Sequence, residues 1–187
     1  MRRTATVERF RRAGETPDGE ICYAVAKYTI REIAPDEYAL LNDFLYNAIF
    51  VPEGVPAPPR EIINRPELQV YTEKFGEKQG DAGFVAEVGG SIVGAVWVRI
   101  MQDYGHIDND TPSLAISLFP AFRGQKIGTA LMQTMLVHLA QTGYRQVSLS
   151  VQKQNKAVNL YRKLGFQTAA ETGEEYIMVY RFTDSEQ

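Results

Sequence analysis

Residues 123–130 have the composition of a turn that binds phosphate. They read Arg-Gly-Gln-Lys-Ile-Gly-Thr-Ala, and they separate a run of β-forming residues from an amphipathic segment. A helix that begins at such a turn presents unpaired backbone N–H groups and the positive end of its dipole at one point. The glycine spacing fits neither a Walker loop nor the Gly-x-Gly-x-x-Gly fingerprint of dinucleotide sites. We therefore expect an anion site here, and the alternative is that Gly124 and Gly128 only allow a helix to pack closely on a strand.

Residues 155–166 form a second distinctive phrase, Asn-Lys-Ala-Val-Asn-Leu-Tyr-Arg-Lys-Leu-Gly-Phe. Together with residues 119–131 it closely resembles the recurrent sequences of the GNAT superfamily of N-acetyltransferases. In that family the acetyl-CoA signature is Gln/Arg-x-x-Gly-x-Gly/Ala, and an Asn precedes a helix that ends Tyr-x-x-x-Gly-Phe. Gln125, Gly128 and Ala130 fill the three signature positions. The resemblance extends over residues 28–182, and Lys126 departs from it because many members carry Gly there.

The resemblance implies an acetyl-CoA-dependent N-acetyltransferase and a role for each matching residue. Backbone amides of residues 125–130 would meet the pyrophosphate of acetyl-CoA, the backbone of Leu118 would pair with the pantetheine arm, and Asn155 would bind that arm. Tyr161 would lie beside the thioester sulfur as the candidate general acid, and the alternative is a core tyrosine on a short helix. The expected cofactor-binding residues are Leu118, Phe119, Arg123, Gly124, Gln125, Lys126, Ile127, Gly128, Thr129, Ala130 and Asn155.

The strand before the turn does not mark the base that deprotonates an acceptor amine. An alkylammonium group with a pKa of about 10.4 is neutral in roughly one molecule in 2,500 at pH 7, so its proton must be removed before the nitrogen attacks. Many family members carry a carboxylate on this strand, but residues 114–118 read Leu-Ala-Ile-Ser-Leu. The alternatives are a water relay or the loop 103–110, where His106 has the intrinsic pKa of a proton shuttle and Asp108 or Asp110 could attract a cationic amine. That loop can equally be plain solvated surface.

The same residues argue against two other kinds of chemistry. The acidic loop lacks the glycine and the terminal glutamate of a calcium-binding loop, so we expect no metal site. His106 and His138 have no evident Ser or Cys partner for a nucleophilic triad. These features favour direct transfer of the acetyl group without a covalent enzyme intermediate.

Composition limits the partners of this chain. The 187 residues carry a formal net charge of −3 and the basic residues form no stripe, so we expect neither nucleic acid nor a membrane as a partner. Cys22 is the only cysteine, which excludes an internal disulfide and favours a cytoplasmic setting. We expect residues 1–26 to form a mobile N-terminal extension with no apolar leader segment, and residues 27–184 to form one N-acetyltransferase domain. A homodimer is compatible with these features.

Hydrophobic periodicity predicts the elements that position these residues. Strands are predicted over residues 28–33, 84–88, 92–100, 113–119, 147–151 and 176–180, and helices over 35–50, 60–75, 126–141 and 157–164. Gly89 and Gly90 predict a hairpin between the second and third strands, and the strand–helix–strand step over 113–151 predicts a right-handed parallel crossover. The predicted fold is a single α/β domain of the GNAT type, with a mixed, mostly antiparallel central sheet and helices on both faces.

The expected function is direct transfer of an acetyl group from acetyl-CoA to a primary amine of a small-molecule or peptide acceptor. The alternative is a non-catalytic acyl-CoA-binding regulatory module, motivated by the strand that lacks a carboxylate. Acceptor specificity would come from the first two helices, the Pro-rich loop 51–59 and the loop 103–112. Candidates for the acceptor pocket, although aromatic residues at such spacings are more often core, are Phe50, Glu53, Tyr71, Trp97 and Tyr104.

Overall fold

The computed structural model describes residues 5–7, 10–15, 21–25 and 28–182. Its first strands are β1 (Ala5–Val7), β2 (Phe10–Glu15) and β3 (Ile21–Val25). β1 joins the edge of the main sheet, and β2 pairs with β3. The other residues of the expected N-terminal extension, and its boundary at residues 26–27, lie outside the described residues, so that extension stays a prediction.

From residue 28 the chain alternates between strands and helices. The strands are β4 (Tyr28–Glu32), β5 (Ala82–Val88), β6 (Ser91–Arg99), β7 (Ser113–Leu118), β8 (Gln146–Gln152), β9 (Gln167–Glu171) and β10 (Glu175–Arg181). The α-helices are α1 (Leu41–Ala48), α2 (Pro66–Gln69), α3 (Ile127–Gln141) and α4 (Ala157–Leu164). Short 3-10 helices cover Pro35–Leu40, Arg60–Asn64 and Pro120–Phe122. The predicted strands and the two helices that carry the motifs are confirmed.

Within the described residues, eight strands form one sheet in the order β1-β4-β5-β6-β7-β8-β10-β9. β5 and β6 pair antiparallel around residues 89–90, which confirms the predicted hairpin. β7 and β8 are parallel and are joined by α3, whereas the other neighbouring strands of this sheet are antiparallel. The sheet is therefore mixed and mostly antiparallel, as predicted.

The sheet buries a separate hydrophobic cluster on each face. On one face, here called the α3 face, Leu131 of α3 and Val158 of α4 pack with Leu149 of β8. On the other, here called the α1 face, Phe44 of α1 packs with Trp97 of β6. Helices therefore cover both faces, which confirms the predicted layers.

β7 and β8 separate toward their C-terminal ends. Ser113 lies opposite Ser148, whose N–H donates to the Pro112 C=O at 3.0 Å, and no later residue pair joins these two strands in the described sheet. β7 stays paired with β6 as far as Leu118, and β8 stays paired with β10 as far as Gln152. The sheet thus opens between the C-terminal halves of β7 and β8, and we call this opening the gap.

Two helical predictions and one omission differ from the structure. The helix predicted over 60–75 is divided into a 3-10 helix over Arg60–Asn64 and the one-turn helix α2, because Pro66 lacks an N–H and Arg65 before it is extended (φ −67°, ψ 139°); residues 70–75 are not helical. The helix predicted over 35–50 is divided into a 3-10 helix and α1. β9 was not predicted, because its five residues are all exposed and carry no hydrophobic alternation.

A buried ion pair fixes the segment that follows α2. The side chains of Arg99 and Asp81 are 0 % and 1 % exposed, and they meet through Nη2–Oδ2 at 2.7 Å and Nε–Oδ1 at 3.0 Å. The guanidinium also donates to three backbone carbonyls within residues 70–74. Because one planar group satisfies all these acceptors, it holds the segment against β6 and places Tyr71 over the α1 face.

Candidate active site

The start of α3 is open to an anion. Gly124 and Lys126 have φ of +73° and +59°, and these two left-handed residues turn the chain into the helix. The Ala130 N–H donates to the Lys126 C=O at 3.1 Å, so the amides of residues 127–129 precede the first intrahelical bond. No side chain of the described residues caps the helix at Lys126. These amides therefore converge at the positive end of a 15-residue helix, where the sequence predicts the anion.

The side chains of the turn hold its shape. Arg123 donates from Nε to the Leu118 C=O and from Nη2 to the Asn47 C=O, both at 3.1 Å, and so ties the turn to β7 and to the end of α1. Gln125 Nε2 donates to the Ala121 C=O at 2.9 Å. The Ile127 side chain is 1 % exposed and packs in the cluster of the α3 face. The side chains of Arg123, Gln125 and Ile127 therefore have structural roles in the turn, and the expected contact with the anion is left to the backbone.

Leu118 lies where β7 borders the gap. Phe119 donates from its N–H to the Val93 C=O at 3.0 Å, and bonding alternates along an antiparallel strand, so the backbone N–H and C=O of Leu118 point away from β6 and toward the gap. Its side chain approaches α3, since a Cβ on Gly128 would lie 3.3 Å from Leu118 Cδ1. Phe119 differs, because its backbone groups bond within the fold and its ring packs 5.0 Å from that of Phe44. The structure gives Phe119 a packing role.

α4 lies close to the start of α3, because a Cβ on Gly128 would lie 3.9 Å from Leu160 Cδ2, and Tyr161 of α4 packs in the cluster of the α3 face. Asn155 Oδ1 accepts the Ala157 N–H at 2.9 Å, so this residue also starts the helix. Tyr161 is 7 % exposed and packs on Phe166 with ring centroids 5.8 Å apart. Its hydroxyl has no hydrogen-bond partner among the described residues, and burial raises the pKa of Tyr161 to about 12. A buried phenol that stays protonated at neutral pH can donate a hydrogen bond to a ligand.

His106 and Asp108 lie in a loop at the start of β7, whereas the turn follows the end of β7. His106 Nδ1 is 3.0 Å from the Met101 C=O and Nε2 is 3.3 Å from Gln102 Nε2, so both ring nitrogens have partners within the loop. Asp108 is exposed, and hydrogen bonding to Thr111 lowers its pKa, which makes it a weaker base. The structure therefore does not bring His106 or Asp108 together with the turn.

Asp103 is the carboxylate of this loop that faces the sheet. Its oxygens accept the Tyr71 hydroxyl at 2.8 Å and the Ser113 hydroxyl at 2.6 Å. Burial, together with the negative charges of Asp103 and Glu175, raises the pKa of Tyr71. Trp97, a candidate for the acceptor pocket, is 0 % exposed and donates from Nε1 to the Tyr71 C=O at 3.1 Å, so it is a core residue.

Sequence reasoning missed two polar residues on the α1 face. Glu175 Oε2, at the start of β10, accepts the Ser150 hydroxyl at 3.1 Å. Ser117 of β7 is buried, and its hydroxyl has no partner in the described part of the chain. A Glu that opens a strand and a Ser within an apolar run carry no local signal, because only the sheet register brings them to the same opening.

The described residues contain neither a group of side chains arranged to bind a metal ion nor a membrane-spanning helix. No group of three His, Cys, Asp or Glu side chains there is arranged to hold a metal ion. The described helices include none that is long and apolar enough to cross a membrane.

The sequence and the fold match known acetyltransferases. A family model described as the acetyltransferase (GNAT) family matches residues 45–166. N-acetyltransferase 8 of Mus musculus is 34 % identical over 112 residues, which are 59 % of this chain and 48 % of that protein. N-alpha-acetyltransferase of Sulfurisphaera tokodaii is 35 % identical over 97 residues, which are 46 % of this chain and 56 % of that protein. The chain thus spans about half the length of these curated relatives.

Solved structures share the architecture. The PaiA N-acetyltransferase from Thermoplasma acidophilum, solved in complex with coenzyme A, superposes with a TM-score of 0.62. The alignment covers 83 % of this chain and 99 % of that one, with 17 % identity. At this identity the likeness concerns the fold alone.

Proposed function

The chain belongs to the acetyltransferase (GNAT) family, and we propose that it transfers the acetyl group of acetyl-CoA directly to the nitrogen of a primary amine. It is an acetyl-CoA-dependent acetyltransferase, and both curated relatives described above are named for transfer to nitrogen. The observation that carries the proposal is the gap. The open start of α3 and Tyr161 lie on the α3 face of the sheet, and Glu175 and Asp103 lie on the α1 face, where Asp103 accepts from Ser113. Donor and acceptor would approach the gap from opposite faces.

The residues around the turn fit the donor. The amides of residues 127–129 and the helix dipole favour the negative pyrophosphate, and Lys126 adds a positive charge beside them. The Leu118 N–H points into the gap as the edge of an added strand would, and this supports pairing with the pantetheine arm, whereas the Leu118 C=O already accepts from Arg123 Nε. Asn155 uses its side-chain oxygen within the fold, which leaves its NH2 group as the donor toward that arm. When bound, acetyl-CoA supplies an acetyl group activated as a thioester.

Tyr161 donates a hydrogen bond to the departing sulfur. A thiol has an ordinary pKa of about 8.5, whereas burial raises the pKa of Tyr161 to about 12. The difference of about 3.5 pKa units opposes complete proton transfer from Tyr161 to a free thiolate by roughly 5 kcal/mol, so Tyr161 stays protonated and acts as a hydrogen-bond donor to the sulfur. Its hydrogen bond strengthens as negative charge develops on the sulfur, and the protons lost by the amine replace any that Tyr161 gives up.

Release of free thiol tests this function. The purified protein is incubated with acetyl-CoA and a panel of primary amines, and thiol is followed with and without each amine. We expect amine-dependent release and an N-acetylated product detected by mass spectrometry. Tight binding of acetyl-CoA by calorimetry without release for any amine would instead support the non-catalytic acyl-CoA-binding module, which the carboxylate-free strand β7 motivates.

The panel also separates two classes of acceptor. The relative from Sulfurisphaera tokodaii is named N-alpha-acetyltransferase, and that name supports the α-amine of a peptide. Short peptides with a free N-terminus are therefore compared with the same peptides blocked at the N-terminus and with small alkylamines. The class with the highest kcat/KM identifies the acceptor.

A further inference from the structure

We propose that Glu175 binds the ammonium group of the acceptor on the α1 face of the gap and takes its proton as the nitrogen attacks. This inference rests on the proposed function, because it assigns a residue to the acceptor half of that reaction. It supplies from β10 the carboxylate that β7 lacks, since β8 lies between these two strands and borders the gap.

The register of the sheet places Glu175 at the gap. Glu175 lies opposite Gln152, at the C-terminal end of β8, where β8 has separated from β7. Its carboxylate bonds Ser150, and that side chain projects to the α1 face because Leu149 packs on the α3 face. Tyr161 packs in the cluster of the α3 face. The proposed proton donor to the sulfur and the proposed proton acceptor from the amine therefore lie on opposite faces of the sheet.

Ser117 indicates independently that a polar ligand fits here. Its side chain is 5 % exposed, and no described residue bonds its hydroxyl. Extending the parallel register from Ser113 opposite Ser148 places Ser117 across from Gln152, on the rim of the gap opposite Glu175. Alternation along β7 puts its side chain on the same face as that of Ser113, which contacts Asp103. A buried hydroxyl without a partner is costly, and a hydrogen bond to a ligand in the gap removes that cost.

The groups that face Glu175 favour a cation. Asp103 is held toward the sheet by Tyr71, and Tyr71 lies close enough to both Asp103 and Glu175 for their charges to raise its pKa. Tyr104 also raises the pKa of Tyr71. Lys153, which follows β8 along the chain, is paired with a carboxylate of β9 at 3.0 Å. Two carboxylates thus lie near one phenol on the α1 face, and an ammonium group would be attracted to them.

The proton balance of the transfer is complete with these groups. The nitrogen forms its bond to the acetyl carbon as the C–S bond breaks, and the sulfur leaves with the electrons of that bond. Of the three ammonium protons, one stays on the amide, one passes to the Glu175 carboxylate and then to water, and one balances the proton that the sulfur gains. No oxidant, reductant or further reactant is needed.

Glu175→Gln tests the proposal, and Glu174→Gln is the matched control. The Gln side chain has the same shape and still accepts the Ser150 hydroxyl, whereas the neighbouring Glu174 is exposed and its backbone C=O accepts the Lys153 N–H. The probe is the alkylamine with the highest turnover in the panel, and kcat/KM is measured from pH 7 to pH 9. The dissociation constant of acetyl-CoA is measured by calorimetry for each protein.

The expected result is a deficit that depends on pH. The Gln variant must capture neutral amine, whose fraction rises about 100-fold from pH 7 to pH 9 for a pKa of about 10.4. We expect kcat/KM of Glu175→Gln to fall about 100-fold at pH 7 and the deficit to shrink below about tenfold at pH 9, with Glu174→Gln like wild type. Acetyl-CoA affinity stays unchanged. If wild type is active and the pH profile of kcat/KM for Glu175→Gln runs parallel to that of wild type, this inference is overturned and the proposed function stands. If wild type is inert toward every amine, the proposed function itself is overturned.

Discussion

Removing one oxygen from Tyr161 tests the chemistry on the α3 face of the gap. In Tyr161→Phe the ring still packs on Phe166, and the lost hydroxyl has no partner among the described residues. Since no described hydrogen bond is broken, the free energy of unfolding at pH 7 should stay within about 0.5 kcal/mol of wild type, against about 1–3 kcal/mol for leaving a buried partner unpaired. The dissociation constant of acetyl-CoA should change less than about threefold, because the hydroxyl acts on a charge that develops later.

Turnover should respond far more strongly than binding. Proton donation to a reacting group contributes about 10²–10⁴ in rate, equivalent to roughly 2.7–5.4 kcal/mol of barrier. We expect kcat of Tyr161→Phe to fall by this factor in single-turnover thiol release with saturating acetyl-CoA. A folded variant that binds acetyl-CoA normally and keeps kcat within about threefold of wild type would refute the assignment of Tyr161 as the donor to sulfur.

The same variant isolates the ionisation of the buried phenol. The pKa of Tyr161 is about 12 in the folded protein and about 10 in an unfolded chain, so the unfolded state loses its proton first as the pH rises. The raised pKa therefore contributes stability that is complete below pH 10 and is lost toward pH 12. Wild type should lose up to about 2.7 kcal/mol more than Tyr161→Phe across this window, measured by urea unfolding. Equal losses of unfolding free energy in wild type and Tyr161→Phe would contradict a raised pKa for this phenol.

Three further substitutions examine the turn and the buried pair of Arg99 and Asp81. Lys126→Gly should raise the free energy of unfolding by about 1 kcal/mol in urea titrations, because Lys126 has φ of +59°; unchanged or lower stability would contradict a strained turn. Gly128→Glu should weaken acetyl-CoA binding at least about tenfold by calorimetry, because it brings negative charge to the helix start. Gly128→Ala is its control, because the added Cβ meets only Leu118 Cδ1 at 3.3 Å and Leu160 Cδ2 at 3.9 Å. Arg99→Met should destabilise the fold by about 3–5 kcal/mol in urea, because it strands a buried carboxylate, and a loss under about 1 kcal/mol would argue against that pair.

Local signals predicted most of the fold. The hairpin between β5 and β6 follows from two adjacent glycines, both of which have positive φ, and α4 ends where Gly165 adopts φ of +101°. The helix predicted over 60–75 is divided in the structure, because Pro66 lacks an N–H and Arg65 before it is extended. The edge strand β9 buries no side chain of its own, so the pattern used to find strands does not exist in it.

The two halves of the candidate site differ in how far sequence can reach them. The expected donor residues are nearly contiguous, so one turn and the start of one helix carry a readable phrase. The acceptor candidates Ser117 and Glu175 come from two strands and lie near the gap only through the order and register of the sheet, and Asp103 comes from a loop that Tyr71 and Ser113 hold on the α1 face. The positive φ of Lys126 was also unreadable, because lysine gives no signal for a left-handed conformation.

The separation of β7 and β8 explains why a carboxylate need not lie on β7. Once two parallel strands diverge, the groups that border the opening include side chains of both strands and of the next strand beyond β8. β10 runs antiparallel to β8, so its first residue lies beside the end of β8 that borders the gap. Glu175 occupies that position, and Ser150 fixes its carboxylate on the face opposite Tyr161. In the proposed reaction a carboxylate at the start of β10 takes the proton of the amine, so the lack of an acidic residue in 114–118 does not by itself argue against catalysis.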